Sequence, residues 1–150
     1  MSQADDSDGP LADQARAVSA FKKVVLLVAG TAMQRYGNKI EQEQEVLSFL
    51  ADILIDTYAA ESAVLRAQDA AGRKLQNSDL HQDAARVYVN EAAGRIELAA
   101  RNALATMADG DTLRTQLAAL RRVLKVTPVN TVVMRRRLAD AAVDKGGYIF

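Results

Sequence analysis

Residues able to carry acid–base, metal or nucleophilic chemistry are few in this sequence and widely separated. His81 is the single histidine, and the chain contains no cysteine. A multi-histidine zinc site, a Glu-x-x-His di-iron site and a histidine-activated dyad each need ligands that the chain does not hold. His81 falls in the first turn of an expected helix, where a structural surface role is favoured. We therefore expect this chain by itself not to be catalytic.

The glycines do not form a phosphate-binding loop. The segment VAGTAMQRYG follows an apolar helical stretch, and it has neither the GxGxxG nor the GK[ST] spacing. No strand pattern precedes it, so these glycines are expected to serve helix packing and helix termination. We assign no residue of this chain to a cofactor or to a metal ion.

Glu61 is the carboxylate that the helical pattern places among apolar side chains. At 100° per residue it lies near the middle of an apolar arc, where an unpaired carboxylate is costly. It could act as a general base with a raised pKa, but it has no second titratable partner in sequence. A structural ion pair or hydrogen bond between helices is the favoured interpretation. If the second and third helices are antiparallel, the predicted partners are Asn90 and Arg95, with Arg16 next.

Positive charge is concentrated in the last third of the chain. It could bind an anionic surface, such as acidic lipid headgroups, or a phosphate-bearing ligand. Three consecutive arginines spread over about 200° of a helix, so they cannot form one flat patch. Structural or solvated roles are favoured for these side chains. The residues concerned are Arg121, Arg122, Lys125, Arg135, Arg136 and Arg137.

The charge balance and hydropathy bound the classes of partner. Lys plus Arg and Asp plus Glu number 19 each, so no global field attracts nucleic acid. The longest apolar run, residues 24–33, is too short to span a bilayer, which leaves peripheral contact as the membrane alternative. Because there is no cysteine, nothing indicates an oxidising compartment, and we expect a cytoplasmic protein.

The longest uninterrupted helical pattern covers residues 41–68. Its apolar side chains occupy about half of the circumference, so we expect this helix to touch two neighbouring helices. A first helix is predicted over residues 11–36, ending at Gly37, and a third over residues 78–107. The apolar arc of the longest helix consists of Val46, Leu47, Leu50, Ile53, Leu54, Tyr58, Ala60, Val64 and Leu65.

Two shorter helices are predicted in the C-terminal third. Residues 112–125 form the fourth, with Asp111 as its N-cap. The fifth covers residues 128–145, with Thr127 as N-cap and Pro128 in the first turn, where proline sacrifices no hydrogen bond. No strand-period alternation of useful length occurs. The fold class is therefore predicted to be all-α, a mainly antiparallel bundle of about four to five helices.

The two ends of the chain carry different expectations. Residues 1–10 contain three aspartates, a glycine and a proline, and we interpret them as a disordered linker or an expression remnant. Residues 11–150 then form a single helical bundle domain. The last three residues, 148–150, are apolar, so we expect them to dock on the protein or on a partner.

Three segments together resemble one known family. They are FKKVVLLVAGTAMQRYG, EQEQEVLSFLADILIDTYAAESAVLRAQ and the terminal LRRVLKVTPVNTVVMRRRLADAAVDKGGYIF. In combination they are similar to the extra C-terminal helical domain of the very-long-chain type of acyl-CoA dehydrogenase, a flavoprotein. The likeness covers nearly everything from residue 10 to residue 150. None of the three segments is a catalytic motif.

The resemblance implies an accessory role. In such enzymes the flavin site, the acyl-CoA pocket and the catalytic glutamate belong to the preceding dehydrogenase core, and no residue here matches those motifs. Glu61 is therefore not equated with the family's catalytic glutamate. The implied function is an interaction or assembly domain of a FAD-dependent acyl-CoA dehydrogenase of fatty-acid β-oxidation, with FAD held by the core. The implied partner is that core, or a second copy in a homodimer.

Two other functions stay open on the residues alone. One is a free-standing helical bundle that self-associates through its apolar surface and has no catalytic activity. The other is a bundle that binds a ligand or catalyses a reaction in its own right. Bound flavin, metal or acyl-CoA in the purified chain would identify the latter, whereas oligomers in sedimentation would identify the former.

Overall fold

A computed structural model describes residues 9–150, and every regular element in that range is helical. The predicted acidic lead therefore lies, apart from Gly9 and Pro10, outside the described residues. The predicted all-α bundle is confirmed. Its elements are α1 (Ala12–Tyr36), a short 3-10 helix (Gly37–Gln42), α2 (Gln44–Gly72), α3 (Ser78–Met107), α4 (Gly110–Val123) and α5 (Thr131–Lys145).

The core lies between α1, α2 and α3, which pack against one another as three long helices. Short connections join them, so successive helices run antiparallel. The largest fully buried side chains include Phe21, Ile53, Ile96 and Leu104. Alanine occupies much of the remaining buried surface of α2 and α3, which lets their backbones approach closely. These buried alanines are Ala60, Ala67, Ala70, Ala85, Ala92, Ala99, Ala100 and Ala103.

The ends of the long helices follow local backbone chemistry. Gly37 ends α1 at φ 54°, and its backbone N–H donates to the carbonyl of Met33. Glycine suits this position because a side chain disfavours positive φ. The chain then makes one 3-10 segment, so α2 begins at Gln44 and not at residue 41 as predicted.

The predicted starts of the two C-terminal helices are wrong. Asp109, and not Asp111, precedes the first residue of α4. The fifth helix begins at Thr131 because the side chain of Asn130 accepts a hydrogen bond from the backbone N–H of Val133. The backbone N–H of Val129 is bound 3.1 Å away by Asn90 Oδ1 of α3. That contact holds the segment of residues 124–130 against α3, so no helix starts at Pro128.

The long second helix has the two neighbours that its apolar arc predicts, α1 and α3. They cover only part of the arc. Val46, Ile53, Ala60 and Val64 are buried, together with Asp56 and Thr57, which the periodicity did not place inside. Leu54, Tyr58 and Leu65 of the predicted arc are exposed. The buried stripe is therefore rotated away from the hydrophobic arc, and an apolar stripe stays at the surface.

Candidate interaction surface

Exposed apolar side chains run along one side of α1 and α2. Lys22 of α1 and Glu61 of α2 fix how the two helices align, because Lys22 Nζ lies 2.8 Å from Glu61 Oε2. Leu26 follows Lys22 by one turn, and Tyr58 precedes Glu61 by nearly one turn. Since the helices are antiparallel, both steps lead in the same direction along the bundle. Leu26 and Tyr58 therefore lie at the same level.

The same reasoning extends the strip along both helices. Met33 lies two turns beyond Leu26 on α1, and Leu54 lies one turn beyond Tyr58 on α2, while Leu65 lies on the other side of the Lys22–Glu61 pair. All five apolar side chains are exposed. We call this surface the α1/α2 face and define it by Leu26, Met33, Leu54, Tyr58 and Leu65.

Exposure on this face is large. Tyr58 is 77% exposed and Leu26 is 71% exposed. Single exposed apolar residues are ordinary in folded proteins, but several on one face are a feature of surfaces that another protein covers. The ion pair between Lys22 and Glu61 crosses the α1/α2 face between Leu65 and Tyr58.

The predicted partners of Glu61 are wrong. Asn90 accepts from Val129, Arg95 binds Asp56, and Arg16 pairs with Asp13. The reason is rotational, because Glu61 lies on the side of α2 that faces α1, whereas the prediction turned it towards α3. Its partial burial is as expected. That the polar contacts of Glu61, Asn90 and Arg95 are purely structural stays a prediction.

A buried carboxylate joins α2 to α3. Asp56 has a side chain that is only 12% exposed. Arg95 Nε and Nη2 donate to its two oxygens at 2.9 Å each, and Tyr88 Oη donates to Oδ1 at 2.9 Å. The guanidinium of Arg95 also lies over the Tyr88 ring, 5.5 Å from its centroid. We call Asp56, Tyr88 and Arg95 the α2/α3 clamp.

The α2/α3 clamp keeps its groups in their charged or proton-donating forms. Hydrogen bonding from Arg95 lowers the pKa of Asp56, against the opposing effect of burial. Burial, followed by the hydrogen bond to Asp56, raises the pKa of Tyr88. The hydrogen bond to Asp56 likewise raises the pKa of Arg95. These shifts strengthen a fixed ion pair, and the geometry offers no group poised to exchange a proton near neutral pH.

The predicted apolar arc of α2 does not include Asp56, so the burial of this carboxylate was not predicted. A signal was present in the spacing. Asp56 follows Ile53 by three positions and precedes Ala60 by four, so it lies on the buried stripe that these residues define. Arg95, the partner of Asp56, was predicted to make a polar contact between helices, but with Glu61.

The six basic residues predicted to meet an anionic surface are not gathered into one surface. Arg137 Nε and Nη2 donate to the two oxygens of Asp83 at 2.8 and 2.7 Å, and Arg135 pairs with Glu91. These contacts tie α5 to α3. Arg136 is exposed and makes no ion pair within residues 9–150.

The basic residues before α5 lie elsewhere. Arg121 and Arg122 are exposed in the last turn of α4, and α4 makes no contact with α5 in the described range. Lys125 lines a separate cleft beside α1 and α3. Contact of any of these residues with an anion stays a prediction.

The C-terminal residues dock on the bundle, as predicted. The Phe150 ring lies 4.6 Å from the His81 ring between centroids, and Tyr148 meets Phe150 edge-on at 5.8 Å. Asn77 Nδ2 donates to the carbonyl of Ile149 at 3.3 Å. Burial lowers the pKa of His81, with a smaller contribution from the charge of Arg66.

Metal sites and membrane-spanning segments are two further classes of feature that bear on function. Between residues 9 and 150 no group of three or more His, Asp or Glu side chains is arranged to hold a metal ion. By length and composition, residues 12–42 are apolar enough to cross a membrane, which the ten-residue run of residues 24–33 did not indicate. A third of the apolar window is buried inside the bundle, a property that core helices share.

Comparison with known proteins matches nearly the whole chain. The family model of the acyl-CoA dehydrogenase C-terminal domain matches residues 20–122. A protein of Bacillus subtilis (strain 168), described as a probable acyl-CoA dehydrogenase, is 38% identical over 144 residues, which are 93% of this chain and 24% of that protein. The crystal structure of an acyl-CoA dehydrogenase complexed with FAD from Bacillus anthracis matches with a TM-score of 0.92 and 37% identity. That match covers 95% of this chain and 24% of the other.

Proposed function

The chain belongs to the acyl-CoA dehydrogenase C-terminal domain family, and we propose that it works as an assembly domain that docks on a dehydrogenase core through the α1/α2 face. The observation that carries the proposal is the strip of exposed apolar side chains on that face. The chain spans about a quarter of the length of its two relatives, 24% of each. The remaining three quarters of such a protein supply the surface that we propose covers the strip.

The chain's own residues do not fit a flavin. The chain has neither the GxGxxG nor the GK[ST] spacing of a phosphate-binding loop. The cleft beside Lys125 has no aromatic side chain in its wall to stack on a flavin ring. The Bacillus anthracis relative was crystallised with FAD. We therefore assign no step to FAD here and propose that the core holds it.

The strength of docking can be bounded from the side chains of the α1/α2 face. Covering a fully exposed Leu, Met or aromatic side chain contributes about 1.5–3 kcal/mol. The five side chains of this face are between about half and about three quarters exposed, so together they contribute on the order of 5–10 kcal/mol before costs. Association of separate molecules costs about 4–15 kcal/mol. The surplus is small, so docking between two separate chains is expected to be weak, with a Kd of tens of micromolar or above.

Finer parts of the proposal rest on the resemblance. The very-long-chain type and a role in fatty-acid β-oxidation are supported by the three segments quoted above, and the Bacillus subtilis relative, described as a probable acyl-CoA dehydrogenase, supports the coarser assignment. A cytoplasmic location stays a prediction from the absence of cysteine. A single domain over residues 11–150 is supported by the shared core to which α1 through α4 contribute. A second copy of this chain is the competing occupant of the same face. Sedimentation of the chain alone measures whether such a homodimer forms.

The test uses the Bacillus subtilis relative with its matching quarter removed. The 150-residue chain is titrated into this protein at tens of micromolar, and complex formation is followed by sedimentation velocity. We expect binding to a core that retains its FAD absorbance. Tyr58→Glu should weaken it at least about tenfold, because a carboxylate then lies in the apolar contact.

Val143→Glu is the matched control. Val143 is 79% exposed, about the same as Tyr58, but it lies on α5 and away from the α1/α2 face. Equal weakening by both variants, or no binding by the unsubstituted chain to an FAD-containing core, would overturn the proposal. If the truncated core loses FAD, a chimera with this chain in place of the matching quarter is melted with and without Tyr58→Glu. An unchanged melting temperature counts against docking through this face.

A further inference from the structure

A cleft between the N-terminal half of α1, the first half of α3 and the segment of residues 124–130 is separate from the α1/α2 face. Its volume is about 450 Å³. Four basic side chains from three different parts of the fold line it. We call it the basic cleft and define it by Arg16, Lys23, Arg86 and Lys125.

Among residues 9–150, the basic cleft holds positive charge that neighbouring carboxylates do not neutralise. Asp13 is the carboxylate in its lining, and it pairs with Arg16. Within that range Arg86 donates to the neutral amide oxygen of Gln82, at 3.5 Å. Lys23 and Lys125 make no ion pair with any residue from 9 to 150. Four cationic groups against one carboxylate therefore leave three positive charges without an ion-pair partner in the described part of the cleft.

This concentration of charge is local. The chain as a whole has equal numbers of basic and acidic residues, and on α5 the structure pairs Arg135 and Arg137 with carboxylates of α3. In the basic cleft, by contrast, three cationic side chains that have no ion-pair partner among the described residues lie together. Like charges brought together repel one another, and an anion between them removes that repulsion.

The wall of the basic cleft is held in place before any ligand arrives. Asn90 Oδ1 accepts from the backbone N–H of Val129 at 3.1 Å, which fixes the segment that carries Lys125. Buried Val89 and half-buried Val126 form an apolar part of the lining, and the hydroxyls of Ser19 and Thr127 add neutral donors. The volume of the basic cleft lies in the range of small-ligand sites, about 300–1,000 Å³. Its lining is more polar than is usual for such sites, which suits a charged ligand.

We propose that the basic cleft binds a small phosphate-bearing anion of two or more negative charges, such as a pyrophosphate group. Arginine matches phosphate oxygens with paired donors, and lysine adds a point charge. Ser19 and Thr127 are placed to donate to the remaining oxygens. This inference does not depend on docking to a dehydrogenase core, since it concerns a different surface.

The experiment titrates inorganic pyrophosphate into the isotope-labelled 150-residue chain and follows backbone amides by NMR. We expect saturable one-to-one binding, with the largest shifts at Ser19, Arg86 and Thr127. The double variant Lys23→Gln with Lys125→Gln should bind at least about tenfold more weakly, because two exposed charge contacts are lost. Lys145→Gln with Arg122→Gln removes the same charge outside the cleft and should leave binding unchanged.

Other outcomes would overturn the proposal. Shifts that never saturate or that centre on Arg121 and Arg136 would place the anion on the open surface. If the two double variants weaken pyrophosphate binding equally, the weakening is due to the change in net charge and not to the basic cleft. Citrate binding as tightly as pyrophosphate would remove the preference for phosphate.

A vesicle arm separates two sources of the phosphate group. Flotation with phosphatidic acid vesicles that is lost in the Lys23→Gln, Lys125→Gln variant, and competed by pyrophosphate, assigns the group to a lipid headgroup. Pyrophosphate binding without flotation assigns it to a soluble ligand. In both cases the same four side chains hold the phosphate.

Discussion

The first four helices and α5 are attached to the protein by different forces. Helices α1, α2 and α3 share a core of buried apolar side chains, to which α4 adds Leu120 and several partly buried side chains, whereas α5 buries no residue. Helix α5 is held on α3 by polar contacts at two of its three arginines, Arg135 and Arg137, and by the docked C-terminal residues.

The difference separates global stability from local attachment. Apolar burial is insensitive to salt, while contacts between half-exposed ions are screened by it. We therefore expect α1 to α3 to unfold as one unit and α5 to detach first, as elements with few buried contacts do. The proposed docking face lies on α1 and α2, so a partner would meet the stable half of the molecule.

The largest effect is expected from a cavity in the three-helix core. Phe21 is fully buried, and Phe21→Ala should lower the free energy of unfolding by about 3–5 kcal/mol, because contacts are lost and the cavity refills poorly. Urea unfolding followed by circular dichroism measures it. Met33→Ala, on the exposed face of the same helix, should change stability by less than about 1 kcal/mol. If Phe21→Ala and Met33→Ala lower the free energy of unfolding by similar amounts, α1 is not a core helix.

The next largest effect is expected at the α2/α3 clamp. Arg95→Met leaves Asp56 buried with Tyr88 as its remaining donor. Loss of a fully buried pair costs about 3–5 kcal/mol, but Arg95 is half exposed and partly screened, so we expect about 1–2 kcal/mol. Tyr88→Phe removes one hydrogen bond and should cost less, about 0.5–1.5 kcal/mol.

The α2/α3 clamp also predicts how stability depends on pH. The folded pKa of Asp56 lies below its ordinary 3.8, so its charged form stabilises the fold above that value, and this contribution is lost as the pH falls through the folded pKa. Urea unfolding should show that the free energy of unfolding falls less between pH 7 and pH 3 in Arg95→Met than in the unsubstituted chain. If it falls equally in both proteins, Asp56 is not the cause of the loss.

A local effect is expected at the attachment of α5. Arg137→Met removes the paired hydrogen bonds to Asp83 and leaves a buried carboxylate at the α3 surface. Hydrogen exchange of α5 amides should rise at least about tenfold with little change in α1 to α3. Arg136→Met, on the adjacent exposed residue, is the control and should leave exchange unchanged. If exchange rises in all helices together, α5 is not a separate unit.

The sequence predicted the long helices well because their hydrophobic period extends over many turns. It predicted α1 and α3 to within a residue or two, since such repeats identify a helix without knowledge of its neighbours. It failed where the answer depends on rotation about a helix axis. Glu61 and Asp56 are five positions apart on α2, and only packing decides which of them meets α1 and which meets α3. The start of α5 failed likewise, since it depends on Asn90, 40 positions before Asn130.

The smallest effect concerns His81 and the docked tail. Phe150 covers the His81 ring, and burial is the larger cause of its lowered pKa, with Arg66 the smaller. Phe150→Ala should therefore raise the pKa of His81 towards 6.5 by more than Arg66→Gln does. NMR titration of the imidazole protons measures both. Val143→Ala, also apolar and near the C terminus, is the control and should leave this pKa unchanged.

The direction of the pH effect follows from that shift. Because the folded pKa of His81 lies below 6.5, the neutral ring favours the docked tail above pH 6.5, and this contribution is lost as the pH falls through the folded value. Acidification should thus loosen residues 148–150 while α1 to α3 stay folded, which hydrogen exchange at Phe150 and Phe21 would separate. If the tail were instead held tighter in acid, an unrecognised carboxylate would have to face His81. Mild acid would then tighten the contact of residues 148–150 with His81, which is the opposite of the expected effect, and it would leave the apolar core of α1 to α3 unaffected.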